Sequence, residues 1–231
     1  MLFYICLGLG VICLVSFLAQ RKPEVSLKVL LFKTATSGFF ILTAFAAAYE
    51  NENCSQTLSH MFFAAAVCGL LGDIWLDAKY LFPSEEGGLL KAGFISFLIG
   101  HVFYITAMLI TYGVSTLHII FAIFGFIAGA ISCVVTEKVM KADFGKSKLI
   151  SIIYTSVLAS AMGVSAAIAL QTEFSWFSLF MSTGMGLFLA SDIVLARIYF
   201  CKGGNTRLNV VVNHALYYAA QFIIASSLFV F

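Results

Sequence analysis

Charge is scarce in this 231-residue chain. Lys, Arg, Asp and Glu make up 10% of it, against 61% apolar residues, whereas soluble domains carry about 25% charged residues. Too little polar surface remains to coat a globule in water. The formal net charge is +2 and no basic stripe with interleaved aromatics occurs, which excludes nucleic acid as a partner. The six cysteines (Cys6, Cys13, Cys54, Cys68, Cys133 and Cys201) show no C-x-x-C or Cys/His spacing, so neither a disulfide nor a thiolate metal site is expected. The four histidines include no H-x-x-x-H pair, and a catalytic zinc needs three ligands with outer support. No metal and no cofactor is expected. Neither G-x-S-x-G nor a P-loop is present, which leaves serine nucleophilic catalysis unsupported. The N-terminus lacks a basic leader and a small-residue cleavage site, so its first apolar run reads as a retained span.

What the chain does have is length of apolar run. Spans of about 20 residues fall at 2–19, 27–48, 58–77, 91–111, 117–136, 149–169, 175–196 and 209–230. They predict an all-α membrane protein, one domain over 1–231 with eight transmembrane helices and the lipid bilayer as its constant partner. Twelve of the thirteen basic residues sit in alternate loops: Arg21, Lys22 and Lys28; Lys79 and Lys91; Lys138, Lys141, Lys146 and Lys148; Arg197, Lys202 and Arg207. The loops between them hold only Glu50, Glu52 and Glu173 among charged residues. By the positive-inside rule both termini face away from the cytoplasm. The short loops favour a bacterial inner membrane; the endoplasmic reticulum would read the same.

The thirteenth basic residue, Lys33, lies inside the second span, and it is not alone there. Asp73 interrupts Gly69-Leu-Leu-Gly-Asp-Ile-Trp-Leu-Asp77, and Asp192 interrupts the seventh span. A carboxylate at such depth costs roughly 2.5–3.5 kcal/mol on insertion scales and is functional by default. Counted from the cytoplasmic end of each helix, Lys33, Asp73, His101, Tyr154, Asp192 and His214 fall at depths of about 8–15 Å. Six helices thus place polar groups in one layer of the inner leaflet. Gly72-Asp-Ile-Trp-Leu echoes Ser191-Asp-Ile-Val-Leu, and His101-Val-Phe-Tyr104 echoes His214-Ala-Leu-Tyr217. A parallel repeat of four plus four helices would set the two aspartates facing each other across its axis.

Each candidate has a plainer alternative. Asp73 and Asp192 could be helix-packing hydrogen-bond partners or ion-pair mates of Lys33. Lys33 itself could snorkel to the interface; turned inward, its charge would split two carboxylates into an acid and a base. Asp77, one turn beyond Asp73, is expected at the interface and solvated. His214, Tyr217 and Gln221 share a helix face beside Tyr218, and Phe97, His101 and Tyr104 share another. Membrane histidines more often bridge helices than bind ligands. Gly125-x-x-x-Gly129 reads as a close helix contact.

Four motifs in order carry a resemblance: Gly72-Asp73-x-x-Leu76; Phe94-x-x-Phe97-x-x-Gly100-His101-x-x-Tyr104; Ser191-Asp192-x-x-Leu195-Ala196; and Tyr217-Tyr218-x-Ala220-Gln221. Together, over about Lys33 to Gln221, the chain resembles the YhhN family of lysoplasmalogenases. Thr34 departs from the proline that many relatives carry after the lysine. The resemblance implies hydrolysis of the vinyl ether bond of a lysophospholipid of the lysoplasmalogen type, releasing a fatty aldehyde and a glycerophospho-ethanolamine or -choline. Asp73 and Asp192 would then be the catalytic pair, either one the acid and the other the base, by the logic of paired carboxylates. Lys33, His101, Tyr104, Tyr154, His214, Tyr217, Tyr218 and Gln221 would bind substrate or position water. Lys28, Lys79 and Arg197 would hold the head group. A proton-coupled transporter of a small amphiphile shares the intramembrane carboxylates but needs a polar path to both faces. A structural or sensor protein would have its carboxylates satisfied by neighbours, with no cavity beside them.

Overall fold

The computed structural model describes residues 1–231 and contains eight long α-helices and no strand: α1 Leu2–Gln20, α2 Leu27–Glu50, α3 Gln56–Leu81, α4 Glu86–Tyr112, α5 Thr116–Met140, α6 Lys148–Gln171, α7 Trp176–Phe200 and α8 Arg207–Ser227. All eight are long and apolar enough to cross a membrane, and the chain is an integral membrane protein. Each span expected from the sequence matches one helix. The ends follow ordinary capping chemistry. Ser26, Ser55, Ser115, Ser175 and Thr206 accept backbone N–H groups three residues on, satisfying donors that a helix start leaves free. At Ser115 the cap is reciprocal, because the His118 side chain reaches back to the Ser115 N–H. Pro83 opens a short 3-10 turn before α4, where a missing N–H costs nothing.

Six helices close into a ring in the order α2, α3, α4, α6, α7, α8 and back to α2, while α1 lies outside against α2 and α5 outside against α6. The order around the ring is unchanged when α2–α4 exchange places with α6–α8. The ring's interior is filled by one large apolar cluster that includes Phe40, Phe62, Met108, Leu158, Phe188 and Tyr218. The loops that carry the basic residues share one end of the bundle, called the basic end below. At the other end a groove of about 580 Å³ opens between α2 and α3 along Ala48, Cys54 and Phe63, and the rest is closed by aromatic packing. Phe177 and Tyr112 pack against Phe231, Phe3 stacks on Phe229, and Asn51 Nδ2 donates to the Leu228 carbonyl at 2.8 Å.

The α5–α6 contact rests on glycine, as Gly125-x-x-x-Gly129 predicts. A Cβ on Gly125 would stand 2.3 Å from the Ala159 carbonyl oxygen and one on Gly129 2.5 Å from that of Thr155, while Gly163 approaches the Phe121 carbonyl as closely. Backbone meets backbone there, so no side chain can yield. Gly125→Val is expected to push α5 off α6 and cost about 1–3 kcal/mol, read as earlier thermal unfolding in detergent.

Candidate active site

The basic half of the ring holds the polar layer. Asp73 is buried on α3, and three groups meet its carboxylate. Ser37 Oγ of α2 donates to Oδ2 at 2.6 Å, Tyr217 Oη of α8 donates to the same oxygen at 2.7 Å, and Lys33 Nζ lies 3.3 Å from Oδ1. Lys33 therefore turns inward rather than snorkelling. It also lies 3.3 Å from Asp77 Oδ1, which Arg21 Nη2 reaches at 3.0 Å.

This corrects the expectation for Asp77, which is fully buried at 0% exposure instead of solvated at the interface. The reason is length. Helix α3 continues a turn beyond residue 77 to Leu81, so Asp77 stays within the bundle. Arg21, expected as a loop charge, is likewise buried; it follows α1 directly and folds back over Asp77. Its Nε and Nη1 and the Asp77 Oδ2 have no protein partner. Arg21, Lys33, Asp73 and Asp77 thus form a chain of alternating charge that sums to zero when all are ionised. Buried ions need such pairing, since an uncompensated one costs several kcal/mol.

Supporting groups lock this chain in place. Gln221 Nε2 donates to Tyr217 Oη at 3.1 Å, which leaves the tyrosine proton for Asp73. Tyr218 Oη donates to the Lys33 carbonyl at 3.1 Å and lies 2.9 Å from Ser37 Oγ. Tyr217, Tyr218 and Gln221 therefore act around Asp73, the last two at one remove. Gly72 admits the Phe97 ring beside it, where a Cβ would be 2.6 Å from that ring.

Asp192, on α7, has a different setting. No cation approaches it. Its Oδ1 is 3.5 Å from Ser191 Oγ, and its Oδ2 is buried without a partner. Asn213 Nδ2 of α8 donates to the Ser191 carbonyl at 2.8 Å, tying the two helices together beside the carboxylate. A small cavity of about 20 Å³ is walled by Asp73, Asp192, Lys33, His214, Asn213 and Tyr217 among others. A water needs roughly 10–15 Å³ of such space and two or more polar partners, and both are met. On its other side Asp192 borders a larger cavity of about 250 Å³, shared with Tyr154, Ser151 and Phe94. Asp192 thus stands between the two spaces.

Not every residue expected at the site is there. His214 walls the small cavity, its Nδ1 fixed 2.7 Å from the Val210 carbonyl. Tyr154 walls the large one. His101 and Tyr104 line neither. His101 Nδ1 is held by the Phe97 carbonyl at 2.7 Å and its ring packs edge-on against Phe188, while Tyr104 packs on Phe62, farther along α4. Both face inward, as their helix face requires, but into the apolar core. Lys79 is buried, not spread toward head groups. Its Nζ sits 3.5 Å from the centroid of the Tyr199 ring and 3.8 Å from Glu86. No three His, Cys, Asp or Glu side chains converge as metal ligands would.

A bilayer-spanning bundle that keeps an ion-paired aspartate, an unpaired one and a water-sized space between them is an integral membrane protein with a buried polar site in one half of its thickness. The family model described as the YhhN family matches residues 28–228. The chain belongs to the YhhN family. None of the curated proteins matches it, and no solved structure does.

Proposed function

We propose that the protein is an intramembrane hydrolase that cleaves the vinyl ether bond of a lysoplasmalogen-type lysolipid, with Asp192 as proton donor and Asp73 as base. Membership of the YhhN family is consistent with such an activity. The observation that carries the reading is the cavity of about 20 Å³ walled by both aspartates.

Vinyl ether cleavage begins with a proton delivered to the alkene carbon farther from oxygen, which leaves an oxocarbenium ion at the carbon bonded to oxygen. Water adds to that carbon and loses a proton. The hemiacetal then collapses to a fatty aldehyde and a glycerol hydroxyl, so one water is consumed and no redox partner is needed. Asp192 suits the first step, because no cation stabilises its anion, its Oδ2 has no partner and the residue borders both cavities. Asp73 suits the second. Lys33 and two hydroxyl donors give its anion partners that Asp192 lacks, and negative charge there favours the developing oxocarbenium ion. Tyr217 and Gln221 fix that carboxylate's orientation. Removing the Tyr217 hydroxyl deletes one charge-assisted hydrogen bond, worth about 1.5–3 kcal/mol. Tyr217→Phe is therefore expected to lower turnover roughly ten- to hundredfold, measured as aldehyde release by the purified protein.

A transporter would need a polar path through the whole bundle and usually breaks helices near the middle. Here all eight helices are continuous, and the end opposite the polar layer is packed with aromatic side chains. Both favour an enzyme over a transporter. The test is an assay of purified protein in bilayers against a vinyl-ether lysolipid and its saturated-ether counterpart. Aldehyde from the first alone supports the reading, and aldehyde from neither ends it.

A further inference from the structure

The cavity of about 250 Å³ beside Asp192 runs outward between α5 and α7 from an inner end walled by Phe94 and Tyr154. These two helices both lean on α6 and scarcely touch each other, so the cavity has α6 as its back wall and a gap toward lipid. Ala128, Ser132 and Ile193 on its rim are exposed. Its lining is graded. Toward the basic end stand the hydroxyls of Ser132, Thr136, Ser151 and Thr155; toward the middle stand Ala128, Ala159 and Leu189. The last three lie 11 or 12 residues from the basic ends of their helices, about 17 Å deep at helical rise, and Asp192 stands one turn shallower. The Ser151 hydroxyl is buried in this wall and has no hydrogen-bond partner, so a donor and acceptor stands unpaired beside the cavity.

We infer that this α5–α7 cleft is the substrate's doorway from the bilayer, admitting a single-chain lysolipid sideways so that its glycerol hydroxyl meets the Ser151–Thr155 row, its ether linkage meets Asp192 and its chain leaves toward lipid past Ala128. The inference rests on the hydrolase reading for the nature of the linkage, but the cleft, its gradient and its orphan hydroxyl are independent of it. A lipid with a second acyl chain has no hydroxyl to offer Ser151, which makes the wall selective for the lyso form. Ser132 and Ala128 are then specificity-determining positions, because a bulky side chain on the exposed face of α5 closes the gap without touching either aspartate.

The test uses the full-length protein in phospholipid nanodiscs. A saturated alkyl-ether lysophospholipid with a diazirine early in its chain is photolysed, and the labelled peptides are mapped. Label is expected within 128–136 and 189–200, falling about tenfold in Ser132→Phe. The same variant should raise KM for a vinyl-ether lysolipid about tenfold with kcat little changed, as expected of lost ground-state fit. Ala128→Trp gives a second reading should Ser132→Phe fold poorly, since Ala128 already faces outward. Label concentrated instead in the groove between α2 and α3 near Ala48 and Phe63, with KM unmoved by either variant, would overturn the doorway while leaving the hydrolase reading intact. Label in the cleft of a wild-type protein that releases no aldehyde would uphold the lipid site and remove the hydrolase.

Discussion

Asparagine at position 192 is expected to lower aldehyde release by about 100- to 10,000-fold, the span that general acid catalysis contributes, and to leave the fold unharmed. The two halves of that expectation have the same cause. Asp192 has no ionic partner and a free, buried Oδ2, so the isosteric amide strands no opposite charge. What it lacks is an acidic proton to give to the alkene carbon. An unchanged unfolding temperature together with lost turnover is the signature sought. Asp73→Asn should be as inactive but less stable, because Lys33 would then face one carboxylate where it had two.

Arg21→Met is expected to be the most damaging change to stability, at about 3–5 kcal/mol, the usual cost of breaking a buried ion pair from one side. Asp77 would lose its 3.0 Å partner and share Lys33 with Asp73, so both carboxylates would be left short of charge. Adding Asp77→Leu to Arg21→Met removes the stranded anion as well and should recover most of the loss, with Lys33 then devoted to Asp73. Unfolding in detergent micelles measures both variants. A double variant no better than the single one would mean that Arg21 matters through packing on Phe17 rather than through charge.

The gross architecture was readable because hydropathy reports what lipid demands of a backbone. Each long apolar run became a helix, and Gly125 and Gly129 became the close contact that their spacing foretold. Asp73 and Asp192 were equally visible, since an acid in an apolar run stands out against its neighbours. Where the structure departs from the pattern, the cause is physical. Hydropathy ends a helix where charges begin, whereas α3 runs on to Leu81, keeping Asp77 inside the bundle with Arg21 folded over it. His101 and Tyr104 were placed on the correct, inward face of α4, but a face does not say which inward neighbour it meets; theirs are Phe188 and Phe62. The roles of Ser37 and Asn213 rest on α2–α3 and α7–α8 contacts, and small polar residues are too common in membrane helices to signal them. Nor does one-dimensional pattern reveal that α5 stands outside the ring, and the cleft beside Asp192 follows from that.

The most direct test of paired-carboxylate chemistry is to run the reaction in heavy water and weigh the aldehyde. Wild-type protein acting on a vinyl-ether lysolipid should release aldehyde with a single deuterium at the carbon next to the carbonyl, the atom protonated by Asp192, and Asp73→Asn and Asp192→Asn should release almost none. Undiminished release of the same labelled product by both variants would contradict it.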